Sequence, residues 1–93
     1  MWAPVFELTV TEVKAERKTF RDKINGATRE YETFTIAGIN LKNSTMAILN
    51  VVEEIRNQVR DMKLESGSLV NCSLRQMEYD KGLLRGTVIE VKL

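Results

Sequence analysis

The sequence predicts a mainly β domain with one helix (α+β), an antiparallel sheet built in the order β-β-(β)-α-β-β. Three observations carry this. Apolar and polar residues alternate over several short stretches, as in half-buried strands. Asn25-Gly26 and Tyr79-Asp80-Lys81-Gly82 stand between such stretches as turns. A single window before Gly67 has apolar residues at helical spacing instead.

The first strand begins with Phe6, Leu8 and Val10 alternating with Glu7, Thr9 and Thr11. Beyond Val13 the chain is charged yet β-compatible. Asn25-Gly26 then predicts a type I′ hairpin, because both residues tolerate positive φ. That turn would set Ile24 against Ala27, Asp22 against Arg29, Arg21 against Glu30 and Phe20 against Tyr31. Arg17 would meet Phe34, and Ala15 would meet Ile36. Two opposite-charge pairs and an aromatic pair, each worth about 0.2–1 kcal/mol, support a long two-stranded ribbon over residues 12–38.

Residues 38–44 read as a turn. Ile48, Val52, Ile55, Val59 and Met62 could lie on one helix over 45–64. The preferred reading takes Asn50-Val-Val-Glu53 as a capping box, with a short strand at 45–49 and a helix at 51–64. Ile55, Val59 and Met62 then face the core, and Glu53, Arg56, Asn57, Arg60 and Asp61 are mostly solvated. Residues 69–78 form a strand with Val70, Cys72 and Leu74 inward. Residues 83–93 form the last, with Thr87, Ile89, Val91 and Leu93 on one face and Val88, Glu90 and Lys92 on the other. The lone proline, Pro4, interrupts no strand.

Ninety-three residues with 43% apolar and 29% charged content make one ordinary globular domain, residues 1–93. A chain this short buries only about 60–65% of its unfolded surface, so a homodimer would add stability. One cysteine cannot form an internal disulfide, and Cys72 reads as a small buried hydrophobe. The N-terminus has no basic segment followed by an apolar one, so it does not read as a signal peptide. No apolar run approaches the ~20 residues of a membrane span. The expected location is the cytoplasm of a bacterial or host cell, without membrane association.

Composition argues against catalysis. Without histidine the chain lacks the commonest general base, the commonest metal ligand and every Ser-His or Cys-His pair. No glycine-rich phosphate loop is present, and no cofactor is implied. Glu53 and Glu54 diverge on a helix. Glu30 and Glu32 share a strand face with Arg21 and Thr19, which fits surface ion pairing.

Charge is unevenly spread. Residues 14–29 hold Lys14, Arg17, Lys18, Arg21, Lys23 and Arg29 against Glu16 and Asp22, six minus two or +4, in a chain of net +1. Phe20, Tyr31 and Phe34 interleave with these cations. Cations neutralise phosphates with counterion release, and aromatic faces stack unpaired bases. The same ribbon has a plain structural reading too. Charged ribbons stay soluble and avoid edge pairing, with Phe20 and Tyr31 stapling the hairpin and Phe34 in the core.

The order of elements resembles the OB-fold, a small antiparallel barrel. Ser66-Gly67-Ser68-Leu69-Val70-Asn71-Cys72-Ser73-Leu74 is similar to the Gly-Ser-x-Val-x-Val-x-Gly-x-Leu strand of bacterial single-stranded-DNA-binding and primosomal proteins, where a short helix precedes it. Asn25-Gly26-Ala27-Thr28-Arg29-Glu30-Tyr31 resembles the DNA-binding wing of filamentous-phage single-stranded-DNA-binding proteins. The second glycine of the family strand is Ser73 here, and an acidic C-terminal tail of the kind that recruits replication partners is not expected.

The resulting expectation is a non-catalytic single-stranded nucleic-acid-binding protein, of a phage or plasmid, with DNA favoured over RNA. Lys14, Arg17, Lys18, Arg21, Lys23 and Arg29 would contact phosphates, and Phe20, Tyr31 and Phe34 would stack on bases. The alternative is a protein-interaction module (adaptor, assembly subunit or small inhibitor) using the same ribbon, a free edge strand or Trp2 as anchor.

Overall fold

The computed structural model describes residues 4–93, so Trp2 lies outside the described residues. The chain is mainly β with one short helix. Its strands are β1 (Val5–Arg21), β2 (Thr28–Asn40), β3 (Thr45–Val51), β4 (Leu69–Asp80) and β5 (Leu83–Lys92). A 3-10 turn (Glu53–Ile55) and the helix α1 (Arg56–Asp61) join β3 to β4. The sheet closes on itself in the order β1-β2-β3-β5-β4. All neighbours are antiparallel except β3 and β5, which run parallel. A parallel pair needs a long connection, and the segment from the helix through β4 supplies it.

The interior is built by period-2 alternation. Leu8 and Val10, Phe34 and Ile36, Ala47, Leu49 and Val51, and Val70, Cys72 and Leu74 all point inward and are buried. Leu84, Val88 and Val91 complete the core from β5, with Val59 of α1 beside them. Ile55, Met62 and Leu64 pack against this cluster, as the helical spacing predicts for the first two. The inward row predicted for β4 is the one observed.

Three register shifts interrupt the ladder; one lies near Gln76 and Met77 in β4, and the other two shape the closure. Between Val10 and Glu12 the β1–β2 register shifts, leaving Thr11 unpaired. A bulge bends its strand and raises the twist, so β1 pairs with β4 over Val5–Thr9 and then continues with β2 alone. The second shift leaves Ile89 unpaired between Glu90, opposite Ser73, and Val88, opposite Leu74. This corrects the face assignment in β5. Val88 and Val91, three residues apart, are both buried because the extra residue reverses the alternation.

Three further expectations are corrected. Asn25-Gly26 is not a type I′ turn, since only Gly26 has positive φ, +72°. Asp22 N–H donates to Ala27 O at 2.8 Å, and Gly26 N–H to Asp22 O at 2.8 Å, closing a longer loop. The Asp22 and Asn25 side chains accept from Ile24 and Ala27 N–H, satisfying loop donors that a two-residue turn would not contain. Arg21 therefore faces Thr28, Phe20 faces Arg29 and Lys18 faces Tyr31. The slip is by two positions, so each residue keeps its predicted face. The genuine two-residue turn is Lys81-Gly82, with φ of +51° and +81° between paired Asp80 and Leu83.

The capping box does not form. Asn50 lies in β3 opposite Thr35, and Val52 precedes the 3-10 turn without a side-chain cap. Pairing β3 with both β2 and β5 through its last residues satisfies backbone groups on both sides, which outweighs one capping side chain. Arg56, expected to be mostly solvated, is instead half-buried, whereas Arg60 is exposed as expected and still makes contacts. Arg56 donates through Nε to Val51 O and through Nη1 to Glu32 O, both at 3.0 Å. Arg60 pairs with the Glu32 carboxylate and lies over the Phe34 ring, 5.2 Å from its centroid.

β2 leaves β3 at Thr35, and β1 leaves β4 at Thr9. From Ala15 and Phe34 to the tip, the ribbon is a two-stranded arm. At about 3.3 Å per residue the seven residues 15–21 add ~23 Å, which accounts for extents of 49 × 30 × 28 Å. No helix among the described residues is long and apolar enough to cross a membrane.

Candidate functional site

The nine residues singled out from the sequence do not share one surface. Cross-strand partners lie on the same face, so the β1–β2 register sorts them. Lys14, Lys18, Phe20, Arg29 and Tyr31 share the outward face. Arg17 and Arg21 lie on the opposite face, with Phe34, Glu32 and Glu30. Lys23 is exposed in the tip loop.

Phe34 requires a correction as a stacking residue. It is only 2% exposed and sits in the core beneath Arg60, because its face of β2 continues directly into the interior beside Ile36. Phe20 and Tyr31 are different. They are 48% and 45% exposed, with ring centroids 5.8 Å apart and planes at 60°. They are diagonal neighbours rather than opposite, yet the two-residue slip leaves them in edge-to-face contact.

Pairing dilutes the positive charge of the arm. Thr19 faces Glu30 and Arg17 faces Glu32. Counted over residues 14–34, six basic groups meet four acidic ones, a net of +2. On the outward face Glu16 lies between Lys14 Nζ at 2.5 Å and Lys18 Nζ at 3.9 Å. The hydrogen bond and charge of Lys14 hold the Glu16 carboxyl below the ordinary glutamate value, and Glu16 raises the Lys14 ammonium in return. Nearer the tip, Arg29 reaches Asp22 at 3.7 Å.

Below the rings the outward face opens into a groove of about 410 Å³ across β1, β2 and β3. Glu12, Lys14, Glu16 and Lys18 form one wall; Thr33, Thr35 and Ala37 form the floor, and Ile48 and Asn50 the far side. Sequence reasoning missed Thr33, Thr35, Ile48 and Asn50. Alternation along β2 places the threonines on the Tyr31 face, but bringing Ile48 and Asn50 beside them requires the β2–β3 register. The lining offers hydroxyl and amide hydrogen bonds, an apolar contact at Ile48 and two ammonium groups balanced by two carboxylates. Among the described residues no cluster of three or more His, Cys, Asp or Glu is placed to hold a metal ion. Comparisons with protein-family models, curated proteins and solved structures find no match to this chain.

Proposed function

We propose that this chain is a non-catalytic single-stranded nucleic-acid-binding protein of OB-like architecture, with DNA as its preferred ligand. One observation carries the reading. Phe20 and Tyr31, half exposed, share an outward face with Lys14, Lys18 and Arg29, the pairing of ring faces and cations that suits unpaired bases and their phosphates. The strand order, the parallel β3–β5 pair and the helix between β3 and β4 support the OB-like reading. The rings stack bases, Lys18, Arg29 and Lys23 contact phosphates toward the tip, and the groove carries the strand across β2 and β3. Arg17 and Arg21 add only long-range attraction.

Fluorescence anisotropy with labelled oligo-dT at low and high salt tests this. Base stacking is worth about 1–3 kcal/mol per base, so Phe20→Ala with Tyr31→Ala should weaken binding at least about tenfold with the fold intact. Absence of binding by the wild-type chain at low salt ends the proposal. A protein-interaction module is the second reading, favoured by exposed apolar side chains at one end of the sheet, Met46 (59%) and Ile48 (45%) on β3 and Leu41 (71%) in the turn before it. Capture of one specific partner that survives nuclease treatment would favour it.

A further inference from the structure

We propose that two copies of this chain pair antiparallel along the free edge of β1, about a two-fold axis at Ala15. Such pairing does not depend on nucleic-acid binding. Asp22 N–H donates across the hairpin to Ala27 O, so even-numbered residues from Asp22 back to Glu12 direct their backbone groups at β2. Odd-numbered residues from Val13 to Arg21 direct theirs to the other side. That side is occupied as far as Val10, which exchanges hydrogen bonds with Ser68 and Gly67 at 2.7 Å. Beyond the bulge at Thr11 no described strand covers it.

An uncovered edge is a template for another strand, and proteins commonly guard such edges with charge. Here the outward side chains along the edge alternate in sign: Glu12, Lys14, Glu16, Lys18. Alternation makes the ion pairing depend on register, and one register pairs all four residues. With Ala15 opposite Ala15 of a second copy, Glu12 meets Lys18 and Lys14 meets Glu16, and symmetry repeats both contacts. Four opposite-charge pairs result. A slip of two residues either way sets Lys14 against Lys14 or Glu16 against Glu16, with like charges in the adjacent pairs as well. A slip of one turns the outward row inward.

The remaining pairs fit. Val13 meets Arg17, and Ala15 meets its own copy at the axis, where two small side chains share one face without crowding. Glu12 makes no ion pair among the described residues, and Lys18 is held only at 3.9 Å by Glu16, so both are available. The contact is isologous, as a two-fold dimer requires. It is small, spanning residues 12–18 of each copy, and belongs to the weak, transient class.

Sedimentation equilibrium on the nuclease-treated full chain at low salt tests the proposal without oligonucleotide, so its outcome is separate from that of the binding assay. The wild type should show a monomer–dimer equilibrium. Glu16→Lys alone and Lys14→Glu alone each set like charges opposite at two symmetry-related places, and each should weaken dimerisation at least about tenfold. An equimolar mixture should recover association, because the ammonium groups at positions 14 and 16 of the first variant then meet the carboxylates at positions 16 and 14 of the second. Circular dichroism of both variants checks that the monomers fold. A wild type that stays monomeric to about 1 mM, variants that dimerise like the wild type, or a mixture that fails to recover association would each overturn the proposal.

Discussion

Replacing Gly38 with alanine probes the seam where the sheet closes. Gly38 is buried in β2, between Val10 of β1 and Ala47 of β3. A Cβ there would lie 2.3 Å from the Thr9 carbonyl oxygen and 2.8 Å from two Leu8 side-chain carbons. Comfortable carbon contacts are about 3.5–4.0 Å, so β1 or β2 must move by about 1 Å where β1 bends between two partners. Overpacking of this kind costs about 1–3 kcal/mol, and lost unfolded-chain freedom returns about 0.4–1 kcal/mol. A net loss near 1.5 kcal/mol lowers Tm by about 6–12 °C in a domain of this size. Thermal unfolding followed by circular dichroism reads this directly. Gly26→Ala is the control, because its Cβ would meet nothing within 4 Å and only the +72° φ opposes it, at about 1 kcal/mol. A Gly38→Ala melting point within about 2 °C of wild type, or above that of Gly26→Ala, would show that no such clash exists at the seam.

Three other outcomes follow from the same geometry. Phe34→Ala should cost about 3–5 kcal/mol in urea unfolding, whereas Phe20→Ala should cost less than about 1.5 kcal/mol; equal losses would contradict the assignment of one ring to the core and the other to the surface. Burial pushes the Cys72 thiol up to about 11, and the thiolate is the reactive form, so a disulfide reagent at pH 8 should label the chain only after denaturation, and rapid labelling of native protein would count against this. Glu16 should titrate by NMR below the ordinary glutamate value and move up in Lys14→Ala, and an unmoved midpoint would remove the Lys14 contact as the cause. Because that carboxyl is lowered in the folded chain, its favourable contribution is present above the unfolded value and is lost as pH falls through the folded one.

The candidate site was partly legible in the sequence. Phe20 and Tyr31 could be paired from Asn25-Gly26 despite the wrong turn type, because the loop lengthened by an even number of residues and left the faces unchanged. Phe34 misled for the opposite reason. Its position in an alternating stretch gives a face, but whether that face meets solvent or core depends on where the arm ends and the closed sheet begins. Counting cations only to Arg29 overstated the charge of the arm, because Glu30 and Glu32 fold back beside Thr19 and Arg17.

Alternation along one strand follows from the local backbone, so the inward row Val70, Cys72, Leu74 and the near-complete order of elements were determined by the sequence alone. The tertiary structure decided how that sheet closes: Thr9 beside both Ile39 and Leu69, Met46 beside Leu83, the bulges at Thr11 and Ile89, and Arg56 and Arg60 tying the helix to the base of the arm. Each of these joins residues far apart along the chain. A two-residue period carries no information about which distant strand arrives alongside, or where a residue must be left out for the ring to close.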